Sequence, residues 1–335
     1  MRIALIAPYS LGPLRGNIIT VNRIGCFLQR LEVDVLILPA DALSSAEMEQ
    51  RLASFAPRLI HAFHARYCGG VAQRLAERLH LPYVVTITGS DLHDPQLRDH
   101  PDTLRALSSA RSVICFNDLE AAKLAGHFPE ISARLSVIPQ GVEALPVAED
   151  DFGVAGDAFV LLLPAALRPV KRVEFPLQAL APLMERLPAL RLVIAGGIID
   201  QDYAATIRTM LCDAPYAAWL GEVARERMGA LYARADVVLN CSLFESMPNS
   251  LLEAMALGRP VLAADIAGNR ALVRHGDTGL LYRDDHSFFE GVMRLAQEPE
   301  LRAALGRHAQ AWVQSTCSPQ LEAAAYLSLY RSLLV

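Results

Sequence analysis

One rhythm runs along the chain twice, and it constrains the fold more than any other feature of the sequence. Short apolar, β-branched runs alternate with segments of helical period. In the first half, strands are expected over 2–7, 34–38, 59–62, 83–88, 112–116 and 135–138, with helices among them over 20–31, 45–55 and 70–79. Strands that are apolar throughout are buried on both faces, and parallel sheets wrapped by helices are built of such strands. The stretch 144–157 holds a proline, two glycines and four acidic residues, and reads as a linker. The rhythm then restarts. Strands are expected over 159–163, 191–195, 217–220, 236–239, 260–263 and 279–282, and helices over 175–186, 203–212, 224–233, 250–257, 285–296, 298–315 and 319–334. The fold class expected is α/β, with Rossmann-like parallel-sheet domains over 1–145 and 158–318. A last helix within 319–335 is expected to pack back toward the first domain. A length of 335 residues agrees with two domains of about 150 residues each.

Composition removes several function classes. With 53% apolar and 20% charged residues, the chain can bury cores, which excludes global disorder. A net charge of −5 argues against a nucleic-acid polymer as partner, which needs a basic excess on one face. No uncharged apolar stretch reaches the ~18 residues of a membrane span. The apolar run at 3–8 is short and lacks a small-residue cleavage site, so it reads as a first strand rather than a signal peptide. Cys26, Cys68, Cys115, Cys212, Cys241 and Cys317 are scattered without zinc spacing, as expected of reduced thiols in a cytoplasmic protein.

Four motifs carry chemistry, and each sits at the end of an expected strand, where α/β sheets bind ligands. The first runs from Phe244 to Pro260 and opens a helix. Pro248 suits the first turn, and Asn249 or Ser250 can cap it. The amides at Asn249, Ser250 and Leu251 then form an anion site suited to a diphosphate. Ser246 and Met247 lead into this turn. Glu245 and Glu253 flank it as carboxylates able to accept bonds from sugar hydroxyls. The second motif places Arg168 and Lys171 three apart after the first strand of the second domain, where two cations can neutralise a diphosphate leaving group. The third is the glycine-rich turn after the first strand, with Gly12, Gly16 and Asn17. It is neither GxGxxG nor a P-loop, so it carries no nicotinamide or ATP fingerprint. The fourth comprises His61 on the third strand, His64 and Arg66 after it, and Thr88 to Asp91 at the end of the fourth. His61 reads as a core histidine, whereas His64 and Arg66 are candidates for lining an acceptor site. Asp200-Gln201-Asp202 matches the DxD of metal-dependent transferases, but its position at a helix start suits capping.

Glu245 and Glu253, with seven residues between them, resemble the Glu-x7-Glu motif of the family 4 retaining glycosyltransferases, which have the GT-B fold. The run from Leu251 to Ala263, then Ala267-Gly268-Asn269 and the run from Val273 to Leu281, continue the likeness. The resemblance implies that Glu245 sits by the donor sugar, that Glu253 binds the ribose of a nucleotide sugar and that Arg168 and Lys171 hold its diphosphate. It implies two domains facing across a cleft, with Gly16 and Asn17 toward the donor phosphates. Gly196, Gly197 and Val223 are expected near the base. His64 is expected near the reacting sugar, because Thr88 stands where many members carry a histidine. Thr88, Asp91, Asn117 and Arg66 are expected on the acceptor side, with Gln140-Gly141-Val142 also lining the cleft.

The function implied is retaining transfer of a hexosyl unit, of glucose or N-acetylglucosamine type, from a nucleotide diphosphate sugar to a soluble acceptor. The donor is expected to be UDP-linked, the route front-face, and no metal or other cofactor is expected. The pattern of Gly16-Asn17, Thr20, Arg23, His64, Arg66, Thr88 to Asp91 and Arg168 to Lys171 is similar to the glycosyltransferase 1 domain-containing subgroup. In the N-terminal half it is also similar to the selenosugar synthases, which would make selenophosphate the acceptor. A nucleotide-sugar-binding protein without turnover and a GT-B epimerase remain as alternatives.

Overall fold

The computed structural model describes residues 1–10, 16–150 and 152–334, and within them all twelve expected strands form. They are β1 (Arg2–Ala7), β2 (Asp34–Pro39), β3 (Leu59–Phe63), β4 (Tyr83–Thr86), β5 (Ser112–Cys115), β6 (Leu135–Val137), β7 (Phe159–Pro164), β8 (Leu190–Ala195), β9 (Ala217–Trp219), β10 (Val237–Asn240), β11 (Val261–Ala264) and β12 (Leu280–Tyr282). They make two six-stranded sheets, ordered β2-β1-β3-β4-β5-β6 and β12-β11-β10-β7-β8-β9. Neighbours pair in parallel, as at Ile3↔Val35 in the first sheet and Val237↔Leu161 in the second. The chain divides into two units, Met1–Gly141 with Cys317–Val335, and Val142–Thr316. Among the described residues no helix is long and apolar enough to cross a membrane.

In the first unit, β1 shows why the strands are apolar throughout. Successive side chains point to opposite faces. Ile3, Leu5 and Ala7 therefore join one core, with Ile24, Leu28, Tyr326 and Tyr330, while Ala4 and Ile6 join another, with Leu52, Leu75 and Val85. Each fully buried aliphatic side chain contributes about 1.5–3 kcal/mol of transfer free energy. The first of these cores needs helix Pro319–Leu333, which follows the whole second unit in sequence and lies against helix Gly16–Arg30.

Those two helices are also joined by charge. The Arg23 guanidinium donates to both carboxylate oxygens of Glu322, at 2.8 and 2.9 Å, with both side chains buried. Gln140 Oε1 accepts from Thr20 Oγ1 at 2.6 Å and from Arg23 Nη2 at 3.3 Å. A Cβ on the neighbouring Gly141 would stand 2.6 Å from Pro319 Cα, so glycine lets the end of the first sheet meet the start of the last helix. Nearby, His61 on β3 is wholly buried, bonded through Nδ1 to Tyr330 Oη at 2.6 Å and through Nε2 to Thr86 Oγ1 at 2.7 Å. Burial pushes its pKa down to about 3, so it is a neutral core histidine.

The structure departs from the sequence reading where local chemistry overrides periodicity. The helix expected over 175–186 splits into Glu174–Ala179 and a 3₁₀ turn at Ala181–Leu183, because Pro182 has no N–H for an α-helical bond. The strand expected over 83–88 stops at Thr86, because the Asp91 carboxylate draws the Thr88 and Gly89 amides into a turn. Helices Pro101–Ser109 and Asp118–His127 add to the expected set. So does a π-helical turn at Ala65–Gly69, the kind of irregularity that is frequent at functional sites.

Two outcomes follow from this core. Glu322→Ala strands a buried guanidinium and costs about 3–5 kcal/mol in urea unfolding, and a loss under 1 kcal/mol contradicts the role given to the pair. At His61 the unfolded chain binds a proton that the native chain refuses, between the ordinary value of 6.5 and about 3. Stability is full above that window and falls as pH drops through it, by about 1.4 kcal/mol per unit. His61→Gln removes about one proton from that slope, read as unfolding free energy at pH 6.5 and pH 5. An unchanged slope refutes it.

Candidate functional site

Counted from its own first strand, the second sheet runs 3-2-1-4-5-6, the order of dinucleotide-binding folds, whose ligand crevice opens where the order reverses. That point lies between β7 and β10. The loop after β7 carries Arg168 and Lys171, and the loop after β10 carries Glu245 and leads to helix Asn249–Ala256. The topology therefore brings the two leading motifs of the sequence to one place.

Backbone interlocking fixes these loops. Leu167 N–H donates to Gly197 O at 2.8 Å, and Leu243 N–H donates to Val170 O at 2.9 Å, so the Arg168–Lys171 segment is held from both sides. Two glycines permit the contacts. A Cβ on Gly196 would lie 2.1 Å from Ala165 O, and a Cβ on Gly268 would lie 2.1 Å from Glu245 O. Gly268 thus explains the Ala267-Gly268-Asn269 motif, since its short helix packs directly on the backbone of Glu245. Asn269, fully buried, donates to Asn240 Oδ1 at 3.1 Å and Ala264 O at 2.9 Å, tying the ends of β10 and β11.

At the centre, Lys171 Nζ donates to Glu245 Oε1, which also accepts from Ser242 Oγ at 2.7 Å. Burial pushes the Glu245 carboxyl upward. The Lys171 ammonium and its hydrogen bond, the Ser242 hydroxyl and the Arg168 charge outweigh it, and hold the group below the usual carboxylate range. Arg168 Nε is buried with no hydrogen-bond partner among the described residues. A cation with a buried, unsatisfied donor beside an engaged ammonium is the donor set an anion requires.

Glu253 lies within the helix, buried, accepting from Arg225 Nη1 at 3.0 Å and from Tyr232 Oη at 2.9 Å. Helix Asn249–Ala256 has Pro248 as its N-cap and no side-chain cap, which corrects the expectation that Asn249 or Ser250 caps it. Of the three amides expected to face an anion, that of Leu251 already donates to Pro248 O at 3.1 Å. Ser246, Met247 and Leu251 are buried, and Asn249 and Ser250 are half-buried. Val223 is buried in the loop after β9, beyond Gly221, whose amide-accepting carbonyl meets Gly196 N–H at 2.8 Å. Asp200 Oδ1 caps helix Gln201–Cys212 by accepting from Tyr203 N–H at 2.9 Å.

In the first unit the order reverses between β1 and β3, and His64 leaves β3 there. It is buried, and its φ of 87° is strained for a side-chain-bearing residue. Its Nδ1 accepts from Tyr67 N–H at 3.2 Å, so Nε2 carries the proton and donates to Ser90 Oγ at 2.9 Å. Burial pushes its pKa down, against the pull of Asp91. Asp91, fully buried, accepts from Ala65, Thr88 and Gly89 N–H at 2.7, 2.9 and 2.9 Å, and so knots the loops after β3 and β4 together. Asn17 donates to Thr88 Oγ1 at 3.4 Å. Arg66 lies 3.5 Å from Asp102, and Asn117 caps helix Asp118–His127. Gly16 opens the helix after β1, and Gly12 lies outside the described residues. Gln140 and Gly141 serve the Arg23–Glu322 junction described above. Sequence reasoning missed Ser242, Arg225 and Tyr232, while Ser90 lay within the motif from Thr88 to Asp91. Only Ser242 left a trace, as a hydroxyl three residues before Glu245.

Residues 158–298 match the family model described as glycosyl transferases group 1. The chain is 27% identical over 334 residues to glycosyltransferase 1 domain-containing protein 1 of Xenopus tropicalis, covering 96% of this chain and 95% of that one. It is 28% identical over 313 residues to a D-inositol 3-phosphate glycosyltransferase of Actinosynnema mirum, covering 81% and 75%. Among solved structures it resembles sucrose-phosphate synthase of Thermosynechococcus elongatus, with a TM-score of 0.84 at 20% identity over 99% of this chain and 98% of that one. It also resembles Anabaena HepE in complex with UDP and glucose, with a TM-score of 0.79 at 21% identity over 99% and 100%. The fold is GT-B.

The interlocking itself is open to test. Gly268→Ala and Gly196→Ala each cost about 1–3 kcal/mol in urea unfolding, because a methyl cannot be placed without moving a loop. Gly126→Ala, on a helix with no atom within 4 Å of the new methyl, gains up to about 1 kcal/mol. Equal effects at the three sites contradict the close-approach role.

Proposed function

We propose that this chain, a glycosyltransferase whose residues 158–298 carry the group 1 match, transfers a hexosyl unit with retention from a UDP-sugar to a soluble hydroxyl acceptor. The observation that carries the proposal is the cluster of Arg168, Lys171 and Glu245 at the reversal of the second sheet. HepE, solved with UDP and glucose and with UDP-glucose, supports a nucleotide-sugar donor, and the glycosyltransferase of A. mirum supports glycosyl transfer.

In this reading Arg168 and Lys171 take the diphosphate. Negative charge grows on the leaving phosphate as the glycosidic bond breaks, so cations fixed there stabilise the transition state more than the ground state. Held from both sides by backbone bonds, the loop needs little reorganisation during the reaction. These two cations supply the charge that a metal ion would otherwise supply, and Asp200 is engaged as a helix cap. Glu245 orients the sugar hydroxyls. Its Oε1 already serves Lys171 and Ser242, which suits an orienting carboxylate better than an attacking one and favours a front-face route. Glu253 takes the ribose, with Arg225 and Tyr232 fixing its rotamer. The acceptor is assigned to the first unit, at Arg66, Thr88 and Ser90. His64 and Asp91 act there as the frame that holds the loops. Cys68, Cys115 and Cys241 are buried thiols on or beside the strands, which supports a reducing, cytoplasmic setting.

Lys171→Ala is expected to keep the native thermal midpoint within a few degrees and to lower turnover of the UDP-sugar by about 100-fold or more. A thermal-shift screen across UDP-, GDP- and ADP-sugars identifies the donor, and release of the nucleoside diphosphate with acceptor present measures turnover. Wild-type-like turnover in the variant sinks the diphosphate assignment.

A further inference from the structure

We infer that Glu245 makes this site select the intact sugar nucleotide over the bare nucleoside diphosphate that the reaction leaves behind. The inference rests on the donor reading above and deepens it. Lys171 does not wait as a free cation, because its ammonium is bonded to Glu245 Oε1. Both side chains are mostly shielded from solvent, so the pair is weakly screened and its disruption is costly.

A diphosphate that engages Lys171 must therefore displace Glu245 or share the ammonium with it. The partner left behind decides the balance. Glu245 then retains the Ser242 hydroxyl as its one neutral donor on Oε1, and its charge stands near the incoming phosphates. Held ionised by Lys171, Ser242 and Arg168, the carboxylate repels a dianionic group unless new donors reach it. The hydroxyls of a hexosyl unit are such donors, able to replace the bond that Lys171 gives up. UDP brings the negative charge without the hydroxyls. Arg168, whose Nε has no partner among the described residues, offers the diphosphate a contact that breaks nothing. Lys171 and Glu245 together thus act as an exchange that a sugar nucleotide completes and its product does not. Product release after transfer follows from the same contacts.

Calorimetric titration of UDP and of UDP-glucose into the wild-type chain and Glu245→Gln is the test. Glutamine keeps the size of the side chain and an oxygen for Ser242, and removes the charge. UDP is expected to bind the variant about ten-fold more tightly, and UDP-glucose no more tightly than it binds the wild type. Loop damage weakens both ligands together, so the opposite response of the two is the signature. If the variant binds UDP no better than wild type while the wild type binds both, the selection role is overturned and the donor reading stands. If the wild-type chain binds neither, the UDP-sugar reading falls and this inference falls with it.

Discussion

The second unit depends on backbones that touch at the carboxyl edge of its sheet. Four loops meet there, after β7, β8, β10 and β11, and the contacts among them run through carbonyls and amides more than side chains. Gly196 against Ala165 and Gly268 against Glu245 leave no room for a Cβ. Everything chemical follows from that closeness. Arg168 and Lys171 sit on a segment with hydrogen bonds to both neighbouring loops, so they hold position against Glu245 without a long side-chain network. Preorganised charge of this kind is what transfer from a diphosphate demands, because the enzyme's main contribution is position and electrostatics.

The first unit solves the same problem with a buried carboxylate. Asp91 gathers three amides from two loops, and His64 adds a fourth through Nδ1. The result is a strained residue at the reversal of the first sheet, stacked on Tyr67 with ring centroids 4.2 Å apart. A Ser90–His64–Asp91 sequence of contacts could be mistaken for a nucleophilic triad. The tautomer argues otherwise. With Nδ1 accepting from a backbone amide, Nε2 is a donor to Ser90 and not a base for it. Ser90 Oγ is thereby an acceptor for His64 and not a nucleophile activated by it.

The strands were legible because period and composition agreed: twelve mostly apolar runs allow little besides buried parallel sheets. Lys171, Arg168 and Glu245 were legible through the resemblance of their motifs to the Glu-x7-Glu family, since by spacing alone Arg168 and Lys171 read equally well as an ordinary basic loop. What stayed hidden depends on contacts far apart in sequence. Nothing local in Gln140 foretells that its side chain joins Thr20 to Arg23, 120 and 117 residues away. Nothing in Glu322 announces Arg23, 299 residues earlier. Asp91 read as a site residue because polar groups at strand ends invite that reading. Its three amide bonds belong to turn chemistry that a single sequence does not display. Pro182 was the opposite case, a visible breaker inside an expected helix whose local rule prevailed over the apolar period.

The Arg23–Glu322 pair bears on how the chain assembles. The first unit closes one face of its sheet with Tyr326, Leu327 and Tyr330, residues that come after the whole second unit in sequence. Residues up to Gly141 therefore leave Ile3, Leu5, Ile24 and Leu28 without their full cover until the last helix docks. The second unit differs in one of its cores: the cluster that includes Leu161, Leu192, Val237 and Leu262 is drawn from residues 161–305, all within Val142–Thr316. Docking requires the burial of Arg23 and Glu322 together, and burial of either alone is strongly unfavourable. A salt bridge of this type adds little to the final stability compared with an apolar pair. Its value lies in selectivity: a helix without an acid at that position, or one displaced by a turn, leaves the guanidinium unpaired. The same closing helix carries Tyr330, which with Thr86 holds His61 behind β3 and β4, the strands whose ends carry His64 and Thr88.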